Sequence, residues 1–271
     1  MKTAAFSTTD WLARLGAGAD ARLTLRFRLN RLFQDACAWL YPQSDPICPL
    51  CHRPLPASPE SDFPHFCLFC AQQLADVSSS LWTGYLHIRR LRVPVACGTV
   101  YEAAIPALIR AWKYDGVLAL TPWLAGFVEQ AVQRIVSPVD RGKWRIVPVP
   151  TSPDRMKKRG YHHVLMLAEQ VAERTGIGLW PGLMRYPDTA AGGTQSQTAK
   201  SAALRAASVA GQFGVRSDRL FDPTIRGRIG DVHLLVVDDI VTTGSTLAAC
   251  VDALYQAGAT HVAGAAIARV R

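Results

Sequence analysis

The stretch Leu234-Leu235-Val236-Val237-Asp238-Asp239-Ile240-Val241-Thr242-Thr243-Gly244-Ser245-Thr246 concentrates more chemistry than any other part of the chain. Its apolar start predicts a buried strand over Leu234–Asp238. Two carboxylates stand at the C-terminal end of that strand, where open α/β sheets bind ligands. A short hydroxyl-rich loop around Gly244 then leads into a helix predicted over Thr246–Gln256. Gly244 lets backbone N–H groups turn toward a ligand, and a helix N-terminus favours an anion. Carboxylates accept hydrogen bonds from vicinal ribose hydroxyls while the loop holds a phosphate, so the arrangement suits a phosphosugar. Taken singly, each part is an ordinary strand-to-helix turn with a Ser/Thr cap. The signal is in the ordered combination.

A second constellation lies near the other end. Cys48-x2-Cys51 is followed by 15 residues and then Cys67-x2-Cys70. Two such pairs fit a four-thiolate zinc site, in which each pair makes a tight turn and the tetrahedral ion closes the loop between them. One pair alone would also suit redox chemistry. With all four ligands from protein there is no open position for water, so the expected role is structural. His52 and His65 flank the pairs and read as neighbours rather than ligands. Cys37, Cys97 and Cys250 are isolated in apolar surroundings and read as small buried hydrophobes. The cysteine segment carries few cations apart from Arg53, which gives little support to a nucleic-acid role for it.

Cations gather in a third place: Arg141, Lys143, Arg145, Arg155, Lys157, Lys158 and Arg159. Arg145 lies within a strand predicted over Trp144–Val149, and the others flank it. Cations beside a phosphate site neutralise the charge of the ligand it holds. Arg159 is the candidate for that task, while Lys157 and Lys158 also suit a nucleic-acid backbone.

The chain that must position these groups has 271 residues, 49% of them apolar and 19% charged. That is ample for one or two folded domains and excludes a disordered chain. A net charge of +9 favours acidic partners without choosing among them. No run of 18 apolar residues occurs, and Met1 to Leu15 lacks a signal-peptide pattern, so the expected location is cytoplasmic with no membrane span. Residues 1–45 have helical periodicity and read as an N-terminal extension. Residues 46–92, rich in proline and cysteine, read as a zinc-binding module that needs a metal staple. From residue 93 strands and helices alternate: strand Val95–Tyr101, helices Ala103–Tyr114 and Leu120–Val136, strand Trp144–Val149, helix Val164–Arg174, the strand and helix already described, and a strand over His261–Ile267. This order predicts a parallel sheet with covered faces. Residues 188–204 lack a core pattern and read as a lid or a surface loop, with a possible short helix over 199–207.

The thirteen residues from Leu234 resemble the phosphoribosyl pyrophosphate (PRPP) motif of type I phosphoribosyltransferases. With the cysteine pairs, residues 46–271 resemble the ComF competence family, which includes amidophosphoribosyltransferase-like proteins. Ile109-Arg110-Ala111-Trp112-Lys113-Tyr114-Asp115-Gly116 is similar to that family's helix ending in lysine, tyrosine and glycine. Val147-Pro148-Val149-Pro150-Thr151-Ser152 is similar to its Pro-Val-Pro strand end, Arg159-Gly160-Tyr161 to the element that follows, and Gln197, Arg205 and Phe213 to its Gln…Arg…Phe segment. Two positions depart: His162-His163 stand where the family has Asn-Gln, and Ser208 stands where it has Asn.

The resemblance implies an α/β fold: a type I phosphoribosyltransferase-like domain over 93–271, a parallel sheet flanked by helices, preceded by a small four-cysteine zinc module and the helical extension. It implies a phosphoribosyltransferase of unknown acceptor that binds PRPP with Mg²⁺. Val237, Asp238, Asp239, Ile240, Val241, Thr242, Thr243, Gly244, Ser245 and Thr246 would bind PRPP, with the two aspartates on the ribose hydroxyls and the loop on the 5-phosphate. Pro150, Thr151 and Ser152 would form the pyrophosphate loop. Lys113 and Arg159 would neutralise pyrophosphate, and Gln197 and Arg205 would belong to the lid. It further implies a role in DNA uptake during natural transformation, with competence-machinery proteins and single-stranded DNA as partners. The alternative is a single-strand-binding accessory protein that uses the PRPP site as a sensor.

Overall fold

The computed structural model describes residues 47–55, 66–75, 77, 80–88, 91–152, 155–156, 160–186, 211–216, 221–222 and 227–271. The predicted helical extension over 1–45, Cys37 included, lies outside them. Cys48–Arg271 forms one compact unit.

The described elements run, in chain order, α1 (Leu68–Ala75), β1 (Trp82–Ile88), β2 (Leu91–Val100), α2 (Ile105–Tyr114), α3 (Thr121–Ile135), β3 (Trp144–Pro148), α4 (His163–Thr175), β4 (Gly178–Leu179), β5 (Leu183–Arg185), β6 (Phe213–Val215), β7 (Phe221–Asp222), β8 (Gly227–Arg228), β9 (His233–Val241), α5 (Ser245–Gln256) and β10 (His261–Arg269). Six strands make one sheet in the order β1-β2-β10-β9-β3-β4. β2, β10, β9, β3 and β4 are parallel neighbours, and β1 alone is antiparallel to β2. β5 and β6 form a separate antiparallel pair, as do β7 and β8. The class expected from the sequence, a mostly parallel sheet flanked by helices and preceded by a cysteine cluster, is the one observed.

The pleat of β9 sorts the core. Leu234 to Val237 are all fully buried, so both faces of this central strand are covered. Leu235 and Val237 face a core shared with α2, α3 and α4, while Leu234 and Val236 face a second core shared with α5. In α2 the buried residues Ile105, Leu108, Ile109 and Trp112 follow helical spacing, so one face is committed to the sheet. α3 presses hardest on β2: a Cβ on Gly98 would collide with the Phe127 backbone carbonyl, so only glycine fits there. α4 begins at His162, whose ring accepts the Leu165 N–H, and ends at left-handed Gly176.

Two expectations shift. β9 does not stop at Asp238 but runs to Val241, because β10 continues to pair with it through Ile240 and Val241. The sheet also gains strands that hydrophobic periodicity does not show. Trp82–Ile88 lies in the stretch assigned to the cysteine module, yet it pairs along its whole length with β2.

Candidate functional site

The acidic pair sits at the centre of the sheet, near the C-terminal end of β9. Asp238 is paired in register with Ala266 of β10. Strand alternation sends the two carboxylates toward opposite faces. Asp239 follows Leu235 and Val237 onto the α2–α4 side, where the Lys113 Nζ lies 2.6 Å from its Oδ2 and the His163 Nε2 lies 2.8 Å from the same oxygen. Asp238 turns back locally, and its Oδ1 accepts the Asp239 N–H at 2.8 Å.

The two acids therefore differ electrically. Burial acts to raise Asp239, but the Lys113 ammonium and the hydrogen bond from His163 outweigh it and hold the carboxyl far below its usual range. Asp238 is raised to about 7 by burial and by the neighbouring Asp239 charge, against weaker opposition from Lys113 and Arg155. Two carboxylates this close separate into one firmly ionised and one that retains its proton toward neutrality.

Lys113 is held from behind. It lies in the last turn of α2, whose carbonyls at Trp112 and Lys113 accept the Tyr161 hydroxyl at 2.8 and 3.1 Å. The Trp112 indole N–H donates to Thr121 Oγ1 at 2.9 Å, and that hydroxyl donates to Leu118 O. Trp112 also meets the His163 ring edge-on at 5.2 Å. One helix end and one helix start thus converge on a single carboxylate oxygen.

After Val241, Thr242 and Thr243 are exposed and Gly244 takes φ +78° at the cap of α5. A Cβ at Gly244 would be strained and would also meet Leu86 at 2.5 Å. The Thr243 hydroxyl donates to Ser245 Oγ at 3.0 Å. Ser245 and Thr246 open the helix, half-buried. The loop therefore presents hydroxyls and the first N–H groups of α5 beside the carboxylates.

On the other side of β9, Val149 donates its N–H to Val237 O at 3.0 Å, carrying Pro150, Thr151 and Ser152 past the acidic pair. Ser152 is buried, and its Oγ accepts the Arg155 N–H at 3.4 Å. His162 secures this loop. The Thr151 N–H approaches His162 Nε2 at 3.2 Å, and the Leu165 N–H donates to Nδ1 at 3.0 Å. A neutral imidazole has one unprotonated nitrogen, so the ring accepts one of these N–H groups at a time, and a charged ring would accept neither. Burial and the adjacent His163 lower the His162 pKa to about 4, which keeps the ring neutral.

The four cysteines come together as the spacing predicts. The sulfurs of Cys48, Cys51, Cys67 and Cys70 all lie within 4.8 Å of one another. Tetrahedral zinc–thiolate bonds of ~2.3 Å place sulfurs roughly 3.8 Å apart, so the cluster fits such an ion with little adjustment. The Cys48 thiol is lowered to about 7: burial raises it, but N–H groups of Cys67, Cys51 and Leu50 prevail. Cys48, Cys67 and Cys70 belong to the same core as α2, α3 and α4. His52 is exposed and His65 lies outside the described residues. Cys97 and Cys250 are fully buried among apolar residues, as expected of small hydrophobes.

Several predicted positions lie outside the described residues: Arg159, Lys157, Lys158, Gln197, Arg205 and Ser208, together with the 188–204 segment. Sequence reasoning does not single out His163 as a site residue, although its Asp239 contact makes it one. The cue is its place in the departure His162-His163, but its partner is 76 residues away. Arg155 is one of seven clustered cations in the sequence, and only the fold shows that its charge reaches Asp238.

No protein-family model matches the chain, and no curated protein matches it. Among solved structures it is similar to "the allosteric regulatory enzyme of purine biosynthesis", at 23% identity over 55% of this chain and 26% of that one, with a TM-score of 0.32. It is also similar to glutamine PRPP amidotransferase from B. subtilis complexed with ADP and GMP, at 24% identity over 54% of this chain and 25% of that one, with a TM-score of 0.31. The matched region is thus about a quarter of the length of those proteins. No helix among the described residues is long and apolar enough to cross a membrane.

Proposed function

We propose that this chain binds PRPP with Mg²⁺ on a type I phosphoribosyltransferase-like domain and transfers its phosphoribosyl group to an acceptor. The observation that carries the reading is the continuity of β9, the Asp238–Asp239 pair and the Thr242–Thr246 loop that turns at Gly244 into α5. In this reading the carboxylates accept the ribose hydroxyls and the loop N–H groups and hydroxyls hold the 5-phosphate. Thr151 and Ser152, with Arg155 beside them, face the pyrophosphate. The C1′–oxygen bond to pyrophosphate breaks as the bond to the acceptor forms. Lys113 and His163 keep Asp239 ionised, so it is a ready acceptor for a hydroxyl.

Mg²⁺ neutralises pyrophosphate oxygens when bound. With Asp239 already countered by Lys113 and His163, the donor set suits a cation held mainly by the ligand's own oxygens and water, which Mg²⁺ prefers. Asp238, raised by burial and by the neighbouring Asp239 charge, is the carboxylate such an ion would favour in ionised form. Zn²⁺ is the structural metal of Cys48, Cys51, Cys67 and Cys70.

The decisive experiment is calorimetric titration of Mg²⁺-PRPP into the zinc-loaded protein. Micromolar binding is expected, weakened tenfold or more (about 1.4 kcal/mol) in Asp238→Asn/Asp239→Asn. Thr243→Glu, an exposed substitution, sets a like charge against the phosphate and guards against misreading a folding defect. Absence of binding by folded wild type overturns the proposal.

The resemblance to ComF extends the reading to DNA uptake in natural transformation, in the cytoplasm and with competence-machinery partners. A second reading, single-strand binding with the PRPP site as sensor, draws on three arginine–aromatic pairs: Arg92 over Tyr85, Arg269 over Trp82 and Arg53 over Phe69. Stacking platforms beside cations suit bases and phosphates. A steep salt slope lost in Lys157→Ala/Lys158→Ala but kept in Asp238→Asn supports it; salt-independent or absent binding removes it.

A further inference from the structure

The six-stranded sheet ends in two unlike edges. One is β4, only two residues long and too short to template another strand. The other is β1, which pairs with β2 along all seven of its residues and, among the described residues, with no strand on its outer side. Its sequence, Trp82-Thr83-Gly84-Tyr85-Leu86-His87-Ile88, contains no proline, lysine, arginine or acidic residue. Those are the residues with which an edge strand keeps other strands away. Thr83, Tyr85 and His87 are exposed on one face, and Arg92 of β2 stacks over the Tyr85 ring at 4.2 Å. On the other face Trp82 and Leu86 pack against the core shared with α5. The Trp82 ring lies over Gly84, where a Cβ would approach it within 2.5 Å. An aromatic ring that covers an edge glycine helps to pin the register of that edge.

The strand is also complementary to itself. An antiparallel two-fold pairing centred on Tyr85 sets Tyr85 against the partner's Tyr85 and Thr83 against the partner's His87. On the opposite face it sets Trp82 against the partner's Ile88 and Gly84 against the partner's Leu86. Aromatic meets aromatic and small meets large, the cross-strand pairs that stabilise a sheet. The two Arg92 side chains start roughly 20 Å apart by strand spacing and rise, well past the ~8 Å over which salt screens charge. We infer that β1 binds β1 of a second copy of this chain, antiparallel and centred on Tyr85, so that two six-stranded sheets become one. Pairing consumes both long edges and leaves β4 at each end, so the assembly closes at two. Seven residues a side fall well short of the ~20–30 of a standard interface, so the dimer is a weak one, formed in the micromolar range. The inference does not rest on the phosphosugar reading.

The test is sedimentation velocity on the full chain, loaded with zinc, from about 1 to 500 μM. A concentration-dependent monomer–dimer equilibrium is expected. Tyr85→Lys and Tyr85→Glu each set like charges across the two-fold, and each is expected to weaken association about tenfold or more. An equimolar mixture of the two variants is expected to associate again, which misfolded chains would not do. Tyr85→Phe is expected to stay within about threefold of wild type, since the aromatic pair is kept. Wild type that stays monomeric throughout, a dimer unaltered by Tyr85→Lys, a mixture of the charged variants that stays monomeric, or assemblies larger than two each overturns the inference. Mg²⁺-PRPP titration is read separately: its failure while the dimer forms would count against the proposed function alone.

Discussion

The cysteine cluster and the acidic pair are both gatherings of groups that repel when ionised, and they solve that problem in opposite ways. Around Asp239 the protein supplies its own counter-charge, Lys113, and a hydrogen-bond partner, His163, from two helices. Around the four sulfurs, among the described residues, it supplies backbone N–H groups and the sulfurs themselves. The first site is electrically complete before any ligand arrives. The second is complete only with a cation. The difference teaches where each ion would belong in the life of the molecule: a metal held by the cysteines would belong to folding, and the metal carried by the proposed ligand to binding.

The largest effect that separates them is metal removal. One zinc per chain is expected by elemental analysis, and chelation is expected to lower the melting temperature by at least about 10 °C, since structural zinc contributes directly to folding. An unchanged melt in a metal-free chain would break the comparison at its cysteine end.

The next largest is Lys113→Met. Removing one partner of a mostly buried pair leaves Asp239 under-compensated, for an expected loss of about 3 kcal/mol by denaturant unfolding. Lys113→Met/Asp239→Asn is expected to recover most of it. A loss below ~1 kcal/mol would show that Asp239 does not depend on its own counter-ion.

The smallest sharpens the acidic side by pH. His162 is lowered to about 4 in the fold, from 6.5. Between those values the unfolded chain binds the extra proton, so wild-type stability falls as pH drops from 6.5 toward 4. His162→Asn keeps an acceptor for the Leu165 N–H and cannot titrate. The stability difference between the two proteins should therefore change by up to about 1.4 kcal/mol per pH unit in that window and be flat above about 7. A pH-independent difference would show that the ring is not held neutral.

Much of this was legible in the chain itself. The cysteine spacing foretold the cluster because ligand geometry is local, and the apolar run at Leu234–Val237 foretold the central strand. The extent of β9 was not legible. Two adjacent carboxylates read as the end of a strand, and what lets the strand continue is Lys113 and His163, brought in from distant helices, together with the pairing of β10. β1 escaped for a related reason. Its alternating exposed and half-buried residues mark an edge strand, and its weak apolar signal gains meaning only from β2. Arg159, Gln197 and Arg205 remain expectations drawn from resemblance.

The continuation of β9 has a dynamic consequence. Ile240 and Val241 pair with Ala268 and Arg269, and Val241 O accepts both the Val270 N–H at 2.9 Å and the Arg269 Nη1 at 3.0 Å. The backbone lattice thus extends beneath and beyond the carboxylates. Amides in such a ladder open to solvent only with large-scale unfolding. Hydrogen exchange should therefore be slow up to the edge of the proposed ligand position, which would make its floor a fixed reference for any motion of the loops around it.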